Sequence, residues 1–581
     1  MMLIPDAQTD RAAYVIDRSQ IAETLTGAIE LNPQGRRRQL PLRTYLIGAY
    51  LSIEERGSFK NTAIYEVLTV GLSHPKQYEL GVRFIDRDGT VTTIGKSKLD
   101  YLSRTLPRHL AYTPNAAARW DLDIDQVEME RRRDLLQRAI NDLLGASIAT
   151  DGGSWYALDG SGAWSWGRAK QTINDDTDIR TLEDAPTDRV PDTTFDDPAT
   201  DEDDDDVDGF VNQVLDDDAA QTSRRKPATS HDPDAAIGSK TSKAGRRESY
   251  YGYVLDAAIR ITPPGETKQP VVLERMVVSP ASTDVVAPSL TMLDSLAATG
   301  TGVSDIVVDR HYSYKRVDRW ADELRKRQIE QHFDLRSDEQ GFKDINGMRL
   351  VAGWMHCPAT PDRLADIPRP GFNASRSDRD AFTKRITERE TWALDRHERV
   401  NDTGRSRWMC PAIAGKLGCP LREGTVDTAE SAGLPIVSDP PDPATAPSCC
   451  TNASGIVSDR SDATRKHQQP YYWGTEQWQQ AYDLRTYVEG LFGSLKNPDT
   501  EDVRRGFTKF VGLPMMSLGL ALAAAVCNVR HQRNFWTNTP DQPDHPLLTP
   551  DPDFNGWREL TQEECDQADQ EHVDTAERLA A

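Results

Sequence analysis

The stretch at residues 482–496, YDLRTYVEGLFGSLK, decides how the rest of the chain is read. On an α-helix turning about 100° per residue, Arg485, Glu489 and Lys496 fall about 300°, 340° and 320° from Tyr482, one stripe roughly 60° wide. Leu484, Val488, Leu491, Phe492 and Leu495 fill the sector from about 180° to 280°, a core-facing side. Asp483, Thr486, Gly490 and Ser494 take the solvent side. The polar stripe therefore borders the buried face, where a partly buried reactive carboxylate would stand. Taken alone, the pattern asks for no more than an amphipathic helix with an Arg485–Glu489 pair, worth a few tenths of a kcal/mol. It gains meaning when other segments supply partners for Glu489.

With 581 residues the chain is too long for one compact core, and its net charge of −23, taken as a single number, argues against nucleic acid. The distribution reverses that reading. Residues 171–220 hold 19 acidic and 2 basic residues and residues 538–581 hold 12 and 2, which leaves the remaining body at about +4. The acidic runs read as solvated, disordered segments, and the mildly basic body keeps DNA or RNA open as a partner. Seven scattered cysteines and a start lacking a basic-then-apolar signal pattern fit a reducing cytoplasm, with the protein on the nucleoid. The uncharged stretch 510–527 reads as a buried helix of about a dozen residues, short of the ~20 a membrane span needs. No phosphate-binding glycine loop is present.

Along the chain, 1–150 reads as a helical N-terminal domain for binding DNA ends. SQIAETLTGAIEL opens on a Ser cap, PLRTYLIGAYLSIEERG runs from Pro to Gly, and NTAIYEVLTVGL follows as the second half of a helix-turn-helix. GRRRQLPLR would add phosphate contacts. Residues 151–170 supply a first core strand, SWYALDGSGAWSWG, with Asp159 near its middle, and an acidic disordered linker occupies 171–247. From 248 to 342 come strands in YYGYVLDAAIRI and PVVLERMVVSP, a helix near 290–299 and the strand DIVVD ending at Asp309. The helix KRVDRWADELRKRQI and the strand EQHFDLR follow. Residues 343–470 form a loop-rich insertion, 471–537 the Glu489 helix and a final helix, and 538–581 an acidic tail. Within the insertion, Cys357, Cys410, Cys419, Cys449 and Cys450 could ligate structural zinc. No C-x2-C pair occurs and adjacent cysteines fit a four-ligand site poorly, so buried thiols are the better expectation.

Two strand aspartates and one helix glutamate are what a two-metal phosphoryl-transfer site requires, since hard divalent cations take oxygen ligands. Tyr482-x2-Arg485-x3-Glu489-x6-Lys496 resembles, at every spacing, the Y-R-E-K signature of bacterial DDE transposases of the insertion-sequence-4 group. YALDGSGAW looks like that family's first-Asp strand and IVVDRHYSY like its second, over roughly 150–535. His311 stands where the family often has Gly. The resemblance implies a multi-domain α/β protein with an RNase H-like mixed-sheet core, an insertion domain and a helical N-terminal domain. It implies Asp159, Asp309 and Glu489 as catalytic ligands of two Mg2+ or Mn2+ ions, with Tyr482, Arg485 and Lys496 on the DNA. The implied partners are double-stranded DNA, as terminal inverted repeats and target, and a second copy in a synapse. A catalytically silent DNA-binding relative and an RNase H-like nuclease without strand transfer are the alternatives.

Overall fold

The computed structural model describes residues 3–29, 40–86, 89–167, 232–241, 247–345, 347–371, 373–398, 400–401, 404–537, 539, 541–551 and 561–580. Most of the acidic linker and the basic run 35–39 lie outside these residues.

A mixed, curled sheet organises the α/β fold. Its central strand β1 (Trp155–Trp164) alternates, with Trp155, Ala157, Asp159 and Ser161 on one face and Tyr156, Leu158, Gly160 and Gly162 on the other. Strand β2 (Arg247–Ile261) runs antiparallel to β1 with Ala257 opposite Asp159, and β3 (Val272–Pro280) runs antiparallel to β2. On the other edge, β4 (Asp305–Val308) is parallel to β1 with Val308 beside Leu158, and β5 (Glu330–His332) is parallel to β4. The spatial order is β3-β2-β1-β4-β5. Gly160 has a steric reason: a Cβ there would stand 2.9 Å from both Asp256 Oδ1 and Val254 Cγ1.

The expected linker boundary at 247 moves towards the N-terminus. Residues Ala236–Thr241 form a strand on β2, preceded by Asp232, which is fully buried. Its carboxylate accepts hydrogen bonds from Ser165 Oγ (2.5 Å), Tyr253 Oη (2.8 Å) and Gly512 N–H (3.1 Å). This acid is therefore a structural anchor rather than part of a solvated run.

The Asp159 face shares one apolar core with α1 (Leu42–Arg56), α2 (Gln126–Ala146) and the C-terminal helices. The described residues of 1–150 accordingly share that core, because α1 is buried on every side from Thr44 to Ile53 and needs cover all round. The second half of the expected helix-turn-helix is only Asn61–Glu66, followed by a π turn, and Asn61 binds Asp100 and Ser103. Arg43, expected on phosphate, is paired with Asp17 at 2.5 Å. Ser19 closes the preceding helix Asp6–Arg18 through the Ile16 carbonyl, although it also accepts from the Ile21 amide. A small hairpin, Arg83–Ile85 with Val91–Thr93, also interrupts the all-helical expectation.

The opposite face packs on α3 (Val286–Ala298) and on residues 348–473. The order strand, strand, strand, helix, strand, helix, strand holds, but two elements contract. The helix expected over 315–329 is confined to Ala321–Lys326 after turns closed on the Arg316 carbonyl, and the following strand stops at His332. The insertion is less irregular than expected, with two three-stranded antiparallel sheets and the helix Arg376–Thr391.

Downstream come α4 (Glu476–Tyr482), α5 (Thr486–Lys496), α6 (Leu513–Thr537) and α7 (Gln562–Ala580). Helix α6 has 25 residues, about twice the expected run and long enough to cross a bilayer, but 94% of its most apolar window is buried inside the fold. The acidic tail is not wholly disordered: Asp569 on α7 meets Arg83 at 2.5 Å and His74 at 3.3 Å, and His572 stacks on Tyr78. The basic body supplies the counter-charges that order it.

Asn528 of α6, fully buried, accepts from Leu273 N–H (2.8 Å) and donates to Leu273 O (2.9 Å) and Ser147 Oγ (3.0 Å). Replacing it strands backbone groups at the start of β3. Asn528→Leu is expected to destabilise the chain by roughly 2–3 kcal/mol in urea unfolding, and a cost under about 0.5 kcal/mol would contradict this bridge.

Candidate active site

The helix expected over 482–496 is two helices joined by one 3₁₀ turn, Asp483–Arg485. Thr486 sets the junction, its hydroxyl donating to the Asp483 carbonyl at 2.7 Å. In a 3₁₀ turn residues i and i+3 eclipse, so the roughly 60° expected between Tyr482 and Arg485 closes to about zero. Accordingly the Arg485 guanidinium lies over the Tyr482 ring at 5.7 Å. Tyr482 is in turn stacked on Trp478, centroids 5.2 Å apart and planes 11° apart. Burial first, then nearby acids, pushes the Tyr482 phenol up to about 12.

Below the turn, Val488, Leu491, Phe492 and Leu495 are buried as the spacing requires, and α5 packs on β1 and β2. This docks the polar stripe against the Asp159 face. Arg485 and Glu489 pair at 2.8 Å, and Lys496 Nζ donates to Ser161 Oγ at 2.6 Å, two residues along β1 from Asp159. Gly490 and Gly493 face open space.

Asp159 is half-buried, and its Oδ1 accepts the Gly160 amide at 2.8 Å. Burial, then the Asp309 and Glu489 carboxylates, outweighs that amide and Arg485 and pushes the Asp159 pKa up to about 6. Asp309 directly follows β4 and caps the turn Arg310–Tyr314, accepting from Arg310 N–H at 2.6 Å. Burial works against the charge of Arg485, yet Tyr482, Asp309, Glu489 and Asp159 together hold its pKa above the ordinary value. The expected positions thus converge: Asp159 and Asp309 from neighbouring parallel strands, Arg485 and Glu489 from the turn and helix across them, and Lys496 about two turns further on. Two expectations shift. Glu489 is not the partly buried acid, since its side chain is 52% exposed; Asp159 is. Moreover, among the described residues no three His, Cys, Asp or Glu side chains are gathered closely enough to hold a metal ion as placed. Each acid is turned to a local donor instead: Glu489 to Arg485, Asp159 to Gly160 and Asp309 to Arg310. His311 is exposed and meets Tyr314 edge-on at 5.8 Å.

Sequence reasoning missed Asp256. It is 2% exposed on β2, opposite Gly160 and therefore on the far face of the sheet from Asp159. Its Oδ1 has no hydrogen-bond partner, and burial, with Asp159 next, pushes its pKa up to about 8. The signal was an acid inside the apolar run YVLDAAIRI, where a solvated strand face would have repeated its polarity every second residue.

No protein-family model, curated protein or solved structure matches this chain.

The Asp159 shift carries a sign. Below about pH 4 the carboxyl is protonated whether folded or unfolded; as pH rises through about 6, the folded chain must ionise a group it holds in a poor environment and loses stability. In chelator, Asp159→Asn is expected to be more stable than wild type at pH 8, by on the order of 2–3 kcal/mol, with the difference vanishing near pH 4. Thermal melts of both proteins at the two pH values check this, and a wild type at least as stable at pH 8 would contradict it.

Proposed function

We propose that the chain is a DDE transposase of the insertion-sequence-4 kind, cutting DNA at the ends of an element and joining them to a target. One observation carries the reading. Two acids from adjacent parallel strands of a β3-β2-β1-β4-β5 sheet meet, on one face, the turn bearing Arg485 and the helix bearing Glu489 and Lys496. That strand order and the antiparallel-then-parallel pairing support an RNase H-like core, with residues 343–470 inserted between the second acid and the Glu489 helix.

The donor set fits Mg2+ or Mn2+. It offers only carboxylate oxygens, and burial first, then the neighbouring Asp309 and Glu489, raises Asp159, a penalty that a divalent cation would offset. Asp159, Asp309 and Glu489 would hold the ions, two per site, which as Lewis acids would activate the attacking oxygen and stabilise the leaving one. The chain's own groups do the rest. Arg485, already seated among the acids, presents a fork of donors to a phosphate once Glu489 swings away. Lys496 brings a second cation beside β1, and the Tyr482 hydroxyl, ringed by Trp478 and Arg485, donates to a flanking phosphate. The open space at Gly490 and Gly493 lets a DNA backbone approach α5. A synapse of two copies would hold two ends.

On a labelled duplex carrying the element's end, with Mg2+, wild type is expected to nick and then join the end to target DNA. Glu489→Ala should bind but cut more slowly by roughly three orders of magnitude, the scale of several kcal/mol of Lewis-acid stabilisation. If neither protein cuts and both bind, the chain is a silent DNA-binding relative; if the variant cuts as well as wild type, the site is elsewhere. Lys496→Ala should weaken binding of that end and reduce the dependence of log Kd on log salt by about one. An unchanged salt slope would remove Lys496 from the interface.

A further inference from the structure

Five of the seven cysteines, drawn from separate segments of the insertion, come to one place. Cys357 follows the strand Trp354–His356, Cys410 follows Ser406–Met409, Cys419 lies beyond it, and Cys449 and Cys450 sit in the turn Ser448–Thr451. All five are buried and none is in a disulfide. Buried thiols can be plain small apolar side chains. Three further features go beyond that reading.

The first is a repeated local structure. Cys357-Pro358-Ala359, Cys410-Pro411-Ala412 and Cys419-Pro420-Leu421 share one pattern. Proline has no N–H, so the first amide after each sulfur belongs to the residue two further on. The Ala359 amide is directed at the Cys357 sulfur and the Leu421 amide at the Cys419 sulfur. Amides aimed at sulfur favour thiolate and are the usual surroundings of sulfur metal ligands. The turns are tightened by Thr360, Ala414 and Arg422 amides donating to the Cys357, Cys410 and Cys419 carbonyls at 2.9–3.0 Å.

The second feature is mutual approach. Cys450, Cys410 and Cys419 all bear on Cys357, and Cys410 and Cys450 bear on Cys419. The Sγ atoms of Cys449 and Cys450 are 3.9 Å apart. The third is Arg422. More than nine-tenths buried, it donates to the Cys449 and Asn452 carbonyls, and its Nε has no partner. Its charge lies close to Cys450. A lone buried guanidinium is costly unless a negative group faces it.

We propose that Cys357, Cys410, Cys419 and Cys450 bind one structural Zn2+, with Cys449 beside them as a non-ligand. Four thiols lose four protons to solvent as four Zn–S bonds form, and Arg422 offsets part of the net double negative charge. As placed, no three sulfurs are within holding distance, so binding draws the Cys-Pro turns and the Ser448–Thr451 turn inwards. The ion would clamp the second small sheet to the strand Trp354–His356 and stiffen the insertion.

The test is metal analysis of the full chain, purified without chelator from zinc-containing medium. The expected result is about one zinc per chain. It should be lost in Cys357→Ser and Cys410→Ser and kept in Cys449→Ser and Cys565→Ser. The Co2+-loaded wild type should show tetrahedral, sulfur-to-cobalt charge-transfer absorption, which decides the matter even if a ligand variant fails to fold. Wild type with no stoichiometric metal, or with iron and its visible absorption, would overturn the site. Loss of zinc in Cys449→Ser with retention in Cys450→Ser would overturn the choice of fourth ligand.

Discussion

Arg485 is the group on which the site depends. Asp159, Asp309 and Glu489 are three like charges directed towards one region, and Asp159 is already driven towards its neutral form by burial and by the other two. A guanidinium between them, eclipsed over Tyr482 by a single 3₁₀ turn and paired with Glu489, makes the arrangement tolerable without any ion. The same cation then has a second use. On the proposed reading, divalent ions held by the acids would free Arg485 from Glu489, leaving its guanidinium able to donate to a phosphate. On that reading the resting site would be held shut by the residue proposed to position DNA.

The sheet explains why these groups meet. The Asp159 face is sealed by α1, α2, α5 and α6 in one continuous core, while the far face is closed by α3 and the insertion. Two cores on opposite sides of one sheet fix β1 and β4 in register, and with them the two aspartates. Asp256, buried behind Gly160 on the far face, adds an acid that the fold keeps near neutrality rather than paired.

Much of the site was legible because its signals are local. An acid ending the apolar strand IVVD and one within YALDG stand out from their neighbours, and a polar stripe beside an apolar one survives a single irregular turn. The 3₁₀ junction was not legible, since it rests on one Thr486 hydroxyl that a helical wheel ignores. Long-range pairings were hidden for a different reason. Nothing near Asp569 announces Arg83, and nothing near Asp232 announces Tyr253 and Gly512, so acidic segments read as solvated although parts of them are anchors. Composition likewise underrated α6, whose cover of neighbouring helices cannot be read from its own residues. The cysteines were judged on spacing, which cannot show that separate turns bring five buried thiols together.

The most direct test of the account is where manganese binds. Crystals of the chain with a cleaved DNA end and Mn2+, measured at an anomalous wavelength, are predicted to show metal peaks between Asp159 and Asp309, with Glu489 turned onto them and Arg485 moved to a phosphate. Peaks elsewhere, or Glu489 still paired with Arg485 beside a bound metal, would contradict it.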